Sequence, residues 1–316
     1  MPDIEHHSAQ LPVSGEFSLR AASTFAFGPA EGTAPSARDR LRLAFPVDGG
    51  RSYAGAVLRQ DAEPHGPITV DLTLRDGAEA KVALAQVARI VSLDHDGSGF
   101  LEIGRADPVL GELQRAHRGQ RPVLFGSPYE AAAWAIISAR RPAARGRRVH
   151  DELSVQFGDT FELEGETLHA FPQPIHLLEL GDRFDGLNLE KLTRLRGVAR
   201  AAFDGDLDAR MLHALGPERA FDELQRLDGI GPFYAGLIVV RATGFADALV
   251  PMPEPKLLAY AARYYAYSEE PTLQWLTDLA QRWRPFRTWA TVLIRVAGAR
   301  GTPAGASGAP GIESTG

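Results

Sequence analysis

The hydrophobic pattern changes its period near Asp107-Pro108, and this change constrains the fold more than any other feature. Residues 16–105 carry short runs rich in β-branched and aromatic residues, separated by Gly, Pro and Asp clusters, which is typical of strands. Residues 107–300 carry apolar positions at helical spacing. The pattern therefore predicts an α+β protein, in which a small antiparallel β-domain at residues 1–106 precedes an all-α array.

The predicted N-terminal sheet has about five strands. Six segments are candidates for these strands: 17–27, 40–47, 53–61, 68–76, 88–93 and 99–104. Helix signals are sparse in this region, and residues 79–87 are the segment that could form a helix.

Helix start signals are clear in the second half. Ser127 is a predicted N-cap before Pro128 at the first helical position, with Glu130 as the third helical residue. The other helices are predicted at residues 110–117, 149–157, 174–180, 189–203, 206–215, 217–226, 233–243, 256–265, 271–283 and 286–297. Residues 301–316 are small and polar, so this tail is predicted to be disordered.

Composition excludes several classes of protein. The chain has no cysteine, which excludes disulfides, thiolate metal sites and iron–sulfur clusters. Its histidines show no metal-ligand spacing. The N-terminus lacks a signal pattern and no apolar run is long enough to cross a bilayer, so we expect a cytoplasmic protein.

Charge is distributed unevenly. The formal net charge is -6, which by itself argues against a polyanionic partner. Residues 138–150, however, hold five arginines and no acidic residue, and we call them the arginine segment. Its members are Arg140, Arg141, Arg145, Arg147 and Arg148. Such a local patch is able to contact phosphates despite the acidic total.

The segment 224–235, LQRLDGIGPFYA, carries the most functional information. One helix ends near Arg226, and Gly229-Ile230-Gly231 makes a tight turn before the next helix begins at Pro232 or Phe233. Two glycines at such a turn let the backbone approach a phosphate, which then faces the N–H groups and positive end of the second helix. On the two glycines alone, a plain helix–helix turn is the better interpretation.

A proline-pinned loop begins about twenty residues after this turn, once the second helix has ended. It reads DALVPMPEPK from Asp247, and it presents Glu254 just before another predicted helix. Turn and loop together resemble the helix-hairpin-helix DNA glycosylase superfamily, most closely the bacterial 3-methyladenine DNA glycosylase II family. The hairpin of that family, L-x-G-I-G-x-x-x-A, matches residues 227–235.

The resemblance covers roughly residues 89–297 and assigns roles to the loop. In the family, the catalytic aspartate lies in a Pro-x-Asp-Asp loop after the second hairpin helix. This chain has Pro251-Met252-Pro253-Glu254, so Glu254 falls at the catalytic position. Glu is one methylene longer than Asp, and a displacement of about 1 Å can cost on the order of a hundredfold in rate.

The resemblance implies an enzyme that flips an alkylated purine out of double-stranded DNA and hydrolyses its N-glycosidic bond. It implies a monofunctional glycosylase, because Phe233 stands where strand-cleaving relatives carry a lysine. The candidate base-pocket aromatics are Phe233, Tyr234, Trp134, Phe286 and Trp289, although aromatic residues on helices, Trp134 above all, are more often core.

The resemblance also implies DNA contacts. We assign Gly229, Ile230, Gly231, Arg140, Arg141 and Arg148 to DNA binding. Backbone carbonyls of Gln225, Leu227 and Ile230 are candidate ligands for a structural Na⁺ or K⁺, the only cofactor expected. Arg140 falls at or beside the family's wedge, which fills the gap left by the flipped base, so it either intercalates or tracks phosphates.

Three functions remain open from the sequence. The first is the active, monomeric glycosylase, acting on nucleoid DNA without a membrane partner. The second is a DNA-binding paralogue without catalysis, because Glu254 replaces the aspartate. The third is an unrelated helical enzyme or interaction module, which steeply salt-dependent DNA binding would exclude.

Overall fold

The structure is a computed structural model that describes residues 4–24, 40–49, 51–249 and 254–304. The end of the first predicted strand, the proline loop before Glu254 and most of the predicted disordered tail lie outside these residues. The described part is α+β, with an N-terminal antiparallel sheet followed by a helical array, which confirms the predicted fold class. None of its helices is long and apolar enough to span a bilayer.

The N-terminal sheet has four antiparallel strands in the order β1-β4-β3-β2. Their bounds are β1 Ile4–Leu11, β2 Arg40–Pro46, β3 Tyr53–Gln60 and β4 Ile68–Arg75. Along β4 the side chains alternate between buried and half-buried, as in a sheet with one covered face. Helix α2, Ala80–Ile90, packs on that sheet through Ala83 and Val87.

Three strand predictions in this region are wrong. The segment after Phe17 forms a short helix, α1 (Leu19–Ser23), because Ser18 caps it by accepting the Ala21 N–H. The segments 88–93 and 99–104 belong to the end of α2 and to helix α3, Ser98–Ala106. Phe100 and Ile103 are three residues apart and face the same core, so the apolar residues follow helical spacing.

The helical array closely follows the predicted segments. It comprises α4 Pro108–Ala116, α5 Pro128–Ser138, α6 Ala143–Phe157, α7 Pro174–Leu178, α8 Leu189–Asp204, α9 Ala209–Leu215, α10 Pro217–Leu224, α11 Pro232–Ala242, α12 Pro255–Tyr264, α13 Leu273–Ala280 and α14 Arg287–Ala299. A 3₁₀ turn, Gln281–Trp283, follows α13. One hairpin interrupts the array, formed by β5 Thr160–Leu163 and β6 Glu166–His169, so this half is not purely helical.

Two helical cores position the site. Helices α5 to α11 all contribute to the first core, and α3, α4, α12, α13 and α14 contribute to the second. The β5–β6 hairpin attaches the array to the sheet, because Phe161 and Leu163 pack against Tyr53 and Val57 of β3. The division of the chain at residue 106 stays a prediction.

Candidate nucleic-acid interface and catalytic carboxylate

The turn between α10 and α11 requires glycine at its first position. Gly229 has φ +88°, and a Cβ there would lie 2.7 Å from Arg194 Cδ and 2.9 Å from Ile136 Cδ1. Ile230 is 2% exposed and anchors the turn in the first core, so only its backbone is available for contacts outside the protein. Gly231, with φ −82°, faces outward, and no described atom lies within 4 Å of where its Cβ would stand. The turn is therefore closely packed against the protein at Gly229 and open to solvent at Gly231.

The first turn of α11 leaves its amides available. Pro232 is the first helical residue and the N-cap is Gly231, with no side-chain cap among the described residues. The early N–H groups of a helix have no intrahelical partner, and with the helix dipole they favour an anion. The Leu227 carbonyl, a predicted cation ligand, accepts the Ile230 N–H at 3.0 Å and keeps a second lone pair. No cluster of three or more His, Asp or Glu suited to a metal ion occurs in the described ranges.

The turn between α5 and α6 lies beside this hairpin. Tyr234 Oη of α11 is 3.5 Å from Ser138 Oγ at the end of α5. Arg140, two residues later, is exposed and has φ +55°, in the left-handed region that non-glycine residues seldom occupy. Strained backbone of this kind concentrates at functional sites, so its conformation agrees with a tip that contacts DNA.

Helix α8 holds both turns through two cations that sequence reasoning missed. Lys191 Nζ donates to the carbonyls of Ile137 and Ala139, at 2.9 and 2.8 Å. Arg194, one helical turn later, lies 3.4 Å from Asp228 and covers Gly229. Burial lowers the pKa of Lys191 to about 8, and Arg141 and Arg194 act in the same direction. Three cationic groups thus stand close to the two turns.

The other predicted DNA-binding arginines differ in their environment. Arg141 is half-buried, and its pKa is lowered by burial and by Arg145. Its Nη1 atom is buried without a hydrogen-bond partner among the described residues. Arg148 is exposed on α6 and pairs with Glu152 at 2.8 Å, which offsets part of its charge. Arg141 therefore lies in the α5–α6 turn with a donor atom that no described residue satisfies, whereas the charge of Arg148 is partly offset by Glu152.

Glu254 forms the N-cap of α12. Its Oε2 accepts the Leu257 N–H at 3.2 Å, and both carboxylate oxygens accept Arg295 Nε, at 3.1 and 2.9 Å. The Glu254 side chain remains 33% exposed and that of Arg295 is 19% exposed. The carboxylate is thus fixed in direction and still accessible. Arg295 lies 41 residues away along the chain, and no local pattern pointed to it.

The other acidic residue of the loop is engaged differently. The Asp247 carboxylate accepts three hydrogen bonds from Arg287: from its backbone N–H at 3.1 Å, Nε at 2.7 Å and Nη2 at 3.0 Å. These bonds fix the start of α14 to the loop. Of the two carboxylates, Glu254 is the more accessible.

The predicted pocket aromatics fall into two groups. Phe233 is 51% exposed beside the hairpin, and its ring meets Tyr234 edge-on at 5.2 Å. Trp134 is buried against His150 of α6, whereas Phe286 and Trp289 pack with Phe100 in the second core. The burial of these last three gives no support to a pocket role, so Phe233 and Tyr234 are the better candidates.

Comparisons with known proteins point to one group of enzymes. No family model matches the chain. It is 25% identical over 205 residues to a DNA-3-methyladenine glycosylase of Bacillus subtilis, covering 64% of this chain and 67% of that protein. It is 28% identical over 234 residues to a probable bifunctional transcriptional activator/DNA repair enzyme AlkA of Mycobacterium tuberculosis, covering 70% of this chain. The match spans only 43% of that second relative.

The fold is shared with a solved structure. A 3-methyladenine DNA-glycosylase from Archaeoglobus fulgidus matches with a TM-score of 0.73 at 20% sequence identity. The match covers 92% of this chain and 98% of that one, and therefore includes both the sheet and the helical array.

Proposed function

The chain belongs to the helix-hairpin-helix DNA glycosylase superfamily, and from this premise we propose that it is a base-excision repair enzyme that hydrolyses the N-glycosidic bond of alkylated purines in DNA. The observation that carries the proposal is the Glu254 carboxylate. It stands at the start of the helix after the hairpin unit, fixed by Leu257 and Arg295 and one-third exposed.

The chemistry needs one negative charge beside the sugar. When the glycosidic bond breaks, its electron pair goes to the base and positive charge develops on the sugar. A fixed carboxylate stabilises that charge and orients the water that attacks C1′. Glu254 supplies this charge in our proposal. Phe233 occupies the position at which strand-cleaving relatives carry a lysine, so the product is an abasic site in an intact strand.

DNA binding is assigned to the two adjacent turns. A backbone phosphate approaches Gly231 and the first amides of α11, where the surface is open. The carbonyls of Gln225, Leu227 and Ile230 would hold a monovalent cation, whose charge would favour a phosphate at this turn. Arg140 enters the duplex or contacts its backbone, and Arg141 and Arg148 add phosphate contacts. We further propose that the protein acts as a monomer on damaged bases in nucleoid DNA of the cytoplasm.

Base release from methylated duplex DNA tests the proposal. In Glu254→Gln the N-cap acceptor remains and the charge is lost, so release is expected to fall by about a hundredfold while DNA affinity changes little. Asp208→Asn is a matched control, because Asp208 caps α9 by accepting the N–H groups of Arg210 and Met211. This control is expected to release base at the wild-type rate.

Two outcomes would contradict the proposal. Wild-type rates in Glu254→Gln would show that Glu254 is not catalytic. Salt-sensitive DNA binding without any release by the wild-type protein would identify a DNA-binding paralogue, and Glu254→Asp would then test whether the longer side chain is responsible.

A further inference from the structure

We propose that Arg295 sets the charge selectivity of the site and favours alkylated purines that are neutral over those that carry a positive charge. The inference rests on the proposed function and names the substrate class within it. A methyl group on a ring nitrogen that bears no hydrogen, as at N7 in 7-methylguanine, leaves the base of the nucleoside cationic. An etheno (–CH=CH–) bridge between two nitrogens, as in 1,N6-ethenoadenine, leaves the base neutral.

Arg295 is held close to the carboxylate from two sides. Its Nε donates to both oxygens of Glu254, at 3.1 and 2.9 Å. Its guanidinium carbon lies 5.5 Å from the ring centre of Tyr260, on the helix that Glu254 caps. The Arg295 side chain is 19% exposed. The positive charge is therefore a fixed part of the site.

The surroundings of Arg295 support a specific role for its charge. Its neighbours on α14 at positions 292, 293, 294, 296 and 297 are buried and apolar. A cation on such a helix is costly unless it is paired, and removing its partner leaves an uncompensated charge. The Glu254–Arg295 pair therefore keeps one negative and one positive charge at a fixed separation.

A base attached to a sugar beside Glu254 lies within several ångströms of this guanidinium. Two positive charges about 6 Å apart, at an effective dielectric constant of about 20, repel enough to lower occupancy on the order of a hundredfold. Glu254 attracts the same cationic base and offsets part of this repulsion. We therefore expect a net discrimination of about tenfold against a cationic base.

Bond cleavage adds to the preference. The C1′–nitrogen bond breaks with its electron pair going to the base, the water oxygen bonds to C1′, and a water proton passes by way of Glu254 to solvent. A neutral base departs as an anion, which the neighbouring guanidinium stabilises, and then takes a proton from solvent. A cationic base departs neutral and gains no such stabilisation.

The test compares the two lesions in matched duplexes, one with 7-methylguanine and one with 1,N6-ethenoadenine. Single-turnover release and dissociation constants are measured for wild type, Arg295→Gln and Arg295→Lys. For each variant we take the ratio of its two release rates, which is independent of the fraction of that variant that is folded. Comparing this ratio between variants then removes the intrinsic difference in lability between the two bases. In Arg295→Gln this ratio is expected to move about tenfold toward 7-methylguanine, whereas Arg295→Lys, which keeps the charge, stays near the wild-type ratio.

Arg287→Gln is a matched control on the same helix, because Arg287 pairs with Asp247 in a similar way. It is expected to leave the ratio unchanged. The same ratio in wild type and Arg295→Gln, or an equal shift in Arg295→Lys, would overturn the inference. If the wild-type protein releases neither base, the proposed function fails, and the ratio of the two dissociation constants decides whether the site selects by charge.

Discussion

A methyl group added to either glycine of the hairpin is expected to separate folding from DNA binding. In Gly229→Ala the new residue must keep φ +88°, which costs an L-residue about 1–2 kcal/mol. Its methyl group would lie 2.7 Å from Arg194 Cδ and 2.9 Å from Ile136 Cδ1, and such overpacking costs about 1–3 kcal/mol. We expect the free energy of unfolding to fall by about 2–5 kcal/mol, because both costs act.

Gly231→Ala tests the outer side of the same turn. With φ −82°, and with no described atom within 4 Å of the new methyl group, alanine fits without strain. Stability is expected to stay within about 0.5 kcal/mol of wild type. The methyl group would stand where we propose that a phosphate approaches, so DNA affinity is expected to fall about tenfold, close to the loss of one hydrogen bond to a charged group.

Urea denaturation measures the first effect, and fluorescence anisotropy with a labelled duplex at two salt concentrations measures the second. The reasoning is refuted if Gly231→Ala is as destabilised as Gly229→Ala. It is equally refuted if Gly231→Ala binds duplex DNA as tightly as the wild-type protein.

Two further predictions concern the α5–α6 region. Arg140→Gly relieves the left-handed strain at φ +55°, so thermal denaturation should show a stability that is unchanged or higher by up to about 1 kcal/mol. Base release is expected to fall at least tenfold in this variant. Unchanged release would exclude a wedge role for Arg140. His150 is buried with Glu130 and Asp151 each 3.5 Å from one of its ring nitrogens; burial lowers its pKa, but the two carboxylates outweigh burial and raise it above the ordinary 6.5. The resulting stabilisation is fully present below pH 6.5 and is lost as the pH rises through the folded-state pKa. His150→Gln should therefore flatten the dependence of the free energy of unfolding on pH in that range. An unchanged slope in this variant would contradict the assignment.

The sequence predicted elements whose signals are local. The Ser127-Pro128 signal placed the start of α5 correctly, since Ser127 accepts the Glu130 N–H as an N-cap does. Strand β1 was missed because nearly all its side chains are exposed, so no apolar alternation marks it. Helix α3 was misread because a short apolar run fits strand or helix until its partners are known.

In the candidate site, too, residues in contiguous motifs could be predicted from the sequence, whereas residues that act through long-range contacts could not. The glycine turn and Glu254 are contiguous motifs and were found from the sequence. Arg295 and Lys191 act through contacts with residues 41 and more than 50 positions away, respectively. Such pairs depend on how helices pack, and a single sequence does not encode that packing in any local pattern.

The two contacts made by α8 bear on how a damaged base would be found. Lys191 and Arg194 stand about 4.5 Å apart along the axis of one helix, and each contacts a different one of the two turns that we propose bind DNA. A helix neither stretches nor shortens, so the Arg140 tip and the Gly229–Gly231 turn keep a constant spacing. In the mode of binding that we propose, the duplex has to match this spacing, by deforming where its own geometry differs. Because a site with weakened pairing or stacking bends at lower energetic cost, this constant spacing would itself discriminate lesions before any base reaches Glu254.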